Sequence, residues 1–357
     1  LGIMLPLGFA SGLPLALTGG TLQAWLTEAG LDLTTIGLFA YVGLPYTLKF
    51  LWAPVMDRIV PPWLGHRRGW MIVTQTGLAL ALTLMAFIGP GSGAQIFAAL
   101  ALGVAFLSAS QDIVFDAYRT DLLKPDERGL GAATWVMGYR IAMMASGSLA
   151  LIVAARLGWS SAYLCMAGLM ALGIVTILMI PEPEAARAAP QSMSEAVWGP
   201  LSEFLSRPMA LALLGLIVLY KLGDAFAGAL TTSFLLRGMA LSSEDVGLVR
   251  AFGIGATILG AFIGGGMMPQ LGLFRSLMVF GVLQALSNLS FLWLAWVGKS
   301  YAVMAFAVGF ENLTGGMGTA AFVALVMSLC NHRYTATQFA LLSSVEALGR
   351  VFLGWPA

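Results

Sequence analysis

Charge is what this chain lacks. Only 10% of its 357 residues are Asp, Glu, Lys or Arg, against about 25% in an ordinary soluble domain. So few ionisable groups cannot keep the surface of a water-soluble protein of this size wet. The net charge is +1, and no basic block is present to neutralise phosphates, which argues against a nucleic-acid partner. Histidine is equally scarce: His66 and His332 fall in short loops and cannot form a His-rich zinc or catalytic cluster. The two cysteines, Cys165 and Cys330, lie in or at the ends of apolar runs. Their spacing suggests neither a disulfide framework nor a metal site, and they read as inert buried thiols. The sequence offers no nucleophile–base pair, phosphate-cradling loop or metal constellation, so neither an enzyme nor a cofactor is expected.

What the chain has instead is hydrocarbon. Hydrophobic residues make up 59% of it and the mean hydropathy is +0.88. Apolar runs long enough to cross about 30 Å of lipid recur throughout. Eleven crossing segments are expected, near 1–27, 33–56, 69–89, 93–117, 129–154, 160–180, 208–235, 244–266, 276–297, 300–329 and 335–357. They are helices, because backbone groups in lipid must be satisfied within the segment and the runs are too long for barrel strands.

The basic residues set an orientation. Alternate loops hold ten (Arg58, Arg67, Arg68, Arg119, Lys124, Arg128, Arg187, Arg207, Arg275, Arg333) and the opposite loops three (Arg156, Arg237, Lys299). The richer set, with the amino terminus, is placed in the cytoplasm. The longest polar interruption, 181–207, lies on the same side; its Pro-rich start reads as a linker, and Ser194 to Phe204 as a short amphipathic helix on the membrane surface.

A shift of 210 residues aligns TLQAWLTEAGLDLTTIGL (21–38) with TTSFLLRGMALSSEDVGL (231–248) and sets Arg140 upon Arg350. Six spans, a linker and five more in the same loop pattern make two parallel, pseudo-symmetric bundles, a transporter arrangement. The bundles are expected at 1–180 and 208–357, joined by 181–207. By the same arithmetic a twelfth span is expected beyond residue 357.

Ionisable residues then mark the interior. Lys49, Asp112, Arg140, Lys221, Asp224, Arg250, Glu311, Glu346 and Arg350 all fall inside apolar spans, whereas spans three, six and nine carry none. Each charge at a bilayer centre costs about 3 kcal/mol, so the set approaches about 25 kcal/mol if unpaired, more than a typical folding stability of about 5–15 kcal/mol. They must be paired, neutralised or wet, and one aqueous cavity between two bundles serves all of them. Glu346 and Arg350 are spaced for a helical pair, either structural or gating; Lys221 and Asp224 can also pair. Lys49, Asp112, Arg140 and Glu311 have no helical neighbour of opposite sign and are the better pathway candidates. Asp57 and Arg58, with Asp116, Arg119 and Asp121, sit at the cytoplasmic ends of their spans, where they suit an inner latch. GAFIG (260–264) is a small-xxx-small pattern for close helix packing.

The loop APVMDRIVPPWLGHRRGW resembles the signature of the major facilitator superfamily, with Asp57, Arg58, Gly65, Arg67 and Arg68 in place and Ala53 where the leading glycine belongs. Longer stretches (GFASGLPLALTGGTLQAWLTEAGLDLTTIG, LKFLWAPVMDR, SASQDIVFDAYRTDLL, LYKLGDAF, ENLTGGMGTAAFVALV, TATQFALLS) look like the AmpG muropeptide permeases across essentially the whole chain; acetyl-CoA transporters are the related branch. The resemblance implies an all-α major-facilitator-type transporter, a proton-driven importer in the bacterial inner membrane, monomeric. Its cargo would be GlcNAc-1,6-anhydro-MurNAc and its peptides, serving cell-wall recycling and β-lactamase induction. For such a carboxylate-bearing disaccharide, Lys49, Arg140 and Lys221 are expected to supply positive field and Gln111, Tyr139 and Asn312 hydrogen bonds. Asp112, Asp224 and Glu311 are expected to handle the proton, a buried carboxyl being easily neutralised. The inner gate is expected to close through Asp57 and Arg119. A facilitator for acetyl-CoA, a sugar or a drug is the competing reading, and a membrane enzyme or channel a more distant one.

Overall fold

The computed structural model describes residues 1–184, 190–235, 239 and 243–354; within these, the side chains at 40, 92, 224–230, 232, 233, 243–247, 250 and 348–354 are left out of the description. Helix is the only regular secondary structure among the described residues. Met4–Leu17 (α1) and Gly20–Glu28 (α2) are followed by the short helices Leu33–Leu38 (α3), Leu44–Leu48 (α4) and Ala53–Arg58 (α5). Long helices then alternate with short turns: His66–Ile88 (α6), Ala94–Leu122 (α7), Arg128–Met144 (α8), Ala150–Leu157 (α9) and Trp159–Met179 (α10). Met193–Leu205 (α11) occupies the linker, and Ala210–Ser233 (α12), Ser243–Leu271 (α13), Leu273–Val297 (α14), Tyr301–Leu329 (α15) and Thr335–Gly354 (α16) complete the order.

Among the described residues, eight helical stretches are long and apolar enough to cross a membrane. They match the expected spans one, three to six and eight to ten. Helices α12 and α16 cover spans seven and eleven. Span two departs from expectation: residues 33–58 form three short α-helices separated by 3₁₀ turns at Phe39–Gly43 and Lys49–Leu51. Pro45 and Pro54 each remove a backbone donor and crowd the preceding turn, so the ladder cannot run through. Span five is interrupted more gently by a π-turn at Ala145–Leu149 between α8 and α9. There the Ser146 carbonyl accepts the Thr21 hydroxyl at 2.7 Å.

Two compact units are present. The first comprises 1–122, 137–203 and 330–344 and the second 123–136, 204–329 and 345–357. The first unit thus takes in a stretch, 330–344, that the repeat assigns to the second half.

Glycine sets the helix spacing inside each unit. In the first, a Cβ on Gly138 of α8 would come within 2.1 Å of the Leu5 carbonyl oxygen, and one on Gly12 within 2.7 Å of that of Tyr139. The glycines of span one therefore serve close contact between α1 and α8. In the second, the GAFIG pattern does the same, since a Cβ on Gly260 would lie 1.9 Å from the Leu313 carbonyl oxygen. This backbone-to-backbone seam between α13 and α15 is the small-residue packing familiar from membrane helices. Aromatic and aliphatic side chains fill one end of the first unit, where Trp25 lies against Phe97, Tyr163 and, stacked at 5.7 Å, Trp159. The expectation of two buried thiols needs correcting: Cys165 is exposed on α10 and Cys330 is half-buried. A thiol facing lipid satisfies the apolar sequence pattern as well as a buried one.

Candidate functional site

Two polar constellations sit in the first unit. The deeper one is strung along α7. Asp112 is half-buried and accepts the Ser11 hydroxyl at 2.6 Å. One turn on, Asp116 pairs with Lys49 at 3.5 Å and with Arg119 at 2.7 Å. The sequence left Lys49 without a partner on its own helix; its counter-charge comes from α7, and the 3₁₀ break at Lys49–Leu51 is where the side chain enters. Tyr46 shares a hydrogen bond of 3.2 Å with Thr18, and the Trp52 indole donates to Ser110 at 2.9 Å. Tyr139 and Arg140 of α8 are half-buried. The Arg140 guanidinium meets no carboxylate among the described residues, and its contact is the Met143 sulfur at 4.0 Å.

Gln111, expected to meet cargo, does something else. It is fully buried, and its amide N–H donates to the Ala10 carbonyl at 2.9 Å, tying α7 to α1. Helix geometry explains the difference: Asp112 and Gln111 are neighbours in sequence, which places their side chains about 100° apart around α7.

The second constellation lies at the end of the spans marked by the basic loops. Arg67, 1% exposed, bridges Asp57 at 3.0 Å and Asp121 at 2.9 Å. Both carboxylates also hold the start of α16. Asp57 accepts the backbone N–H of Ala336 at 3.2 Å and of Thr337 at 2.7 Å, together with the Thr337 hydroxyl at 2.7 Å. Asp121 accepts the Thr335 hydroxyl at 2.7 Å and faces the His332 ring nitrogen at 3.1 Å. The first turn of α16 contains no acid of its own, and its orphan N–H groups make an anion site. Asp57 fills that site from 280 residues away.

The same constellation is braced from behind. Gly65 has φ +91°, and a Cβ there would meet the Glu182 carboxyl at 2.8 Å. The missing side chain lets Glu182 cap α6, accepting the N–H of Arg67 at 2.7 Å and of Arg68 at 3.0 Å. The Arg68 guanidinium in turn donates to the carbonyls of Ile177 and Leu178 at the end of α10, 3.0 Å each.

The expected gate pairing of Asp57 with Arg119 is therefore corrected. Asp57 takes Arg67 and the α16 amides, while Arg119 takes Asp116 and lies over the Phe339 ring at 5.1 Å. Arg58 is half-buried and forms no ion pair to another described residue. Asp57 and the basic pair belong to the loop signature, whereas Glu182, Thr335 and Thr337 lie outside it. For the two threonines the one signal is the NHRYTATQ segment, a helix start with threonines and no acid; Glu182, in the Pro-rich start of the linker, has none.

In the second unit Lys221 of α12 donates to the Thr319 hydroxyl at 2.8 Å and lies 5.9 Å from the Phe322 ring centre. Tyr220 stacks on that ring at 5.9 Å. Glu311 accepts the Asn312 amide at 2.7 Å, and the Asn312 carbonyl accepts the Thr257 hydroxyl at 3.0 Å. The other Asn312 amide hydrogen reaches Val308 at 2.9 Å, so every polar atom of Asn312 has a partner within the unit. Glu346 is half-buried. The side chains of Asp224, Arg250 and Arg350 lie outside the described residues, so the suggested pairs Lys221–Asp224 and Glu346–Arg350 do too.

Fold and site together define a polytopic, all-helical membrane transporter. A sequence model of the Major Facilitator Superfamily matches residues 4–354. The anhydromuropeptide permease of Escherichia coli K12 is 53% identical over 354 residues, covering 99% of this chain and 72% of the relative. A protein of Rickettsia conorii, described as putative transporter AmpG 4, is 34% identical over 352 residues, covering 96% and 85%. Among solved structures, the proton:xylose symporter XylE bound to 6-bromo-6-deoxy-D-glucose superposes with a TM-score of 0.73 at 11% identity, covering 99% of this chain and 86% of that one. An outward-facing bacterial homologue of the iron transporter ferroportin gives 0.72 at 14% identity, covering 99% and 89%. At such identities these two share the fold. The chain belongs to the Major Facilitator Superfamily and, within it, to the anhydromuropeptide permease family.

Proposed function

We propose that this chain imports peptidoglycan breakdown products, GlcNAc-1,6-anhydro-MurNAc and its peptides, across the bacterial inner membrane by proton-coupled alternating access. The identity of 53% to the E. coli permease over nearly the whole chain supports the cargo. The structural observation that carries the reading is Arg140. It lies well inside the stretch Arg128–Leu157, long and apolar enough to cross the membrane, with no carboxylate among the described residues to neutralise it. A cation in that position favours an anion from outside the protein, and a disaccharide bearing carboxylates supplies one. Lys49 adds positive field, shared with Asp116. Tyr139 offers a hydroxyl and an apolar ring face. We also assign Lys221 to the cargo and keep Glu311 as a second proton-coupling candidate.

Asp112 is our proton carrier. It has a neutral partner, Ser11, while the nearest cations are engaged by Asp116, so its protonation breaks no direct ion pair. The Asp57–Arg67–Asp121 constellation holds the start of α16 on the side we assign to the cytoplasm, with the amino terminus, and the protein works as a monomer.

Arg140→Gln tests the cargo assignment, with Arg140→Lys as the folded control. Binding of labelled anhydro-muropeptide should weaken at least tenfold in Arg140→Gln and partly recover in Arg140→Lys. Unchanged affinity in Arg140→Gln defeats it. Competition by an uncharged sugar or by acetyl-CoA at equal strength would favour the other cargo.

A further inference from the structure

The linker helix α11 wears its polarity inside out. A helix on a water-facing surface keeps its charges outward and its apolar stripe inward. Here both acids point into the protein. Glu195 accepts the Tyr334 hydroxyl at 3.1 Å and pairs with Arg333, while Glu203 accepts the Gln338 amide at 2.5 Å. Gln338 also reaches the Pro200 carbonyl at 3.2 Å. Ala196 and Phe204 are buried beside them, and a Cβ on Gly199 would lie 2.7 Å from the Tyr334 hydroxyl. The inner face is thus a polar clasp on residues 333–338, the segment that starts α16.

The outer face carries no charge at all. Its exposed residues are Met193, Val197, Trp198 and Leu205, with Ser194 and Ser202 between them. Trp198 is 67% exposed, an unusual fraction for an indole in water. The apolar exposure does not stop at the helix. It continues along the chain through Met209 (75%) and Leu211 (78%) at the start of α12, and precedes the linker at Met179 (80%), the last residue of α10. Met179 ends a helix long and apolar enough to cross a membrane, so the apolar exposure of α11 follows a membrane-crossing helix along the chain.

We infer that α11 is an interfacial helix, its Trp198 face sunk into the headgroup–acyl boundary of the bilayer at that end of the spans and its acid face clasping the start of α16. Tryptophan prefers this boundary, and amphipathic helices lie in it by burying one apolar face. Because no Lys or Arg stands on the outer face, attachment depends on apolar area and not on anionic lipid.

The test uses the whole protein in nanodiscs. In a Cys165→Ser, Cys330→Ser background, Trp198→Cys is labelled with bimane, and Asp126→Cys, on an exposed loop, serves as the wet reference. Lipids carrying a nitroxide near the headgroup should quench the Trp198→Cys label several-fold more than the reference, and iodide several-fold less, in neutral and anionic bilayers alike. A label quenched by iodide like the reference overturns the inference. So does protection from both quenchers, which would mean that a second copy or another protein covers the face. Lipid quenching confined to anionic bilayers would overturn the apolar basis of the attachment. If Trp198→Cys perturbs folding, Val197→Cys reads the same face.

Discussion

Replacing Asp57 by alanine should release the beginning of α16. The carboxylate is 1% exposed and accepts four hydrogen bonds, from Arg67, two backbone amides and the Thr337 hydroxyl. Removing one partner of a buried ion pair costs about 3–5 kcal/mol. Arg67 keeps Asp121, so the lower end, about 3 kcal/mol, applies. At about 1.4 kcal/mol per decade, opening of the first turn of α16 becomes roughly 100-fold more frequent. The Ala336 and Thr337 amides stand in the first turn, where no helical carbonyl is available to them, so their protection reports Asp57 directly. Hydrogen exchange of peptides covering 335–340 is the assay, with α14 as an internal reference that should not change. Asp57→Asn, which keeps one acceptor oxygen, should give about a tenfold effect on the same scale. Exchange at 336 and 337 within threefold of the parent in Asp57→Ala refutes the reasoning, because something else then holds those amides.

Other perturbations have equally definite outcomes. Gly260→Leu should push α13 off α15 and lower stability by about 1–3 kcal/mol or more, seen as a drop in melting temperature in detergent, whereas Gly255→Leu, with open space around its Cβ position, should not. Asp112→Asn should preserve exchange of labelled cargo across a vesicle membrane and abolish accumulation driven by a pH gradient; persistence of gradient-driven accumulation refutes the proton assignment. The Glu195 carboxyl is held below its ordinary value, first by the Gln191 backbone N–H, then by the Tyr334 hydroxyl and Arg333. A depressed carboxylate stabilises fully above its unfolded value, about 4.3, and loses that contribution as pH falls through the folded value. Protection of the Gln191 amide, corrected for intrinsic exchange, should therefore hold from pH 7 to about 5 and fall at lower pH; Glu195→Gln should flatten that profile.

The membrane helices were legible because one force, the transfer of long apolar runs out of water, dominates their placement. Span two was legible as apolar content but not as geometry, since Pro45 and Pro54 only declare their breaks once the backbone is built. The charges in the spans were found from composition, yet their partners were not. Lys49 and Asp116 are 67 positions apart, and Asp57 and Thr337 are 280 apart, separations that no helical period relates. Gln111 illustrates the opposite failure. Its polar type and depth suggested a wet face, and only packing reveals that it turns toward α1. In the latch, the loop signature pointed to Asp57 and Arg67, while the helix terminus they serve was marked only by an acid-free first turn.

Uptake into proteoliposomes tests the central claim most directly. Labelled GlcNAc-1,6-anhydro-MurNAc should accumulate above its external concentration when a proton gradient is imposed, and only equilibrate when the gradient is collapsed. Saturable uptake indifferent to the gradient would contradict proton coupling, and no uptake by a protein that carries another solute would contradict the cargo.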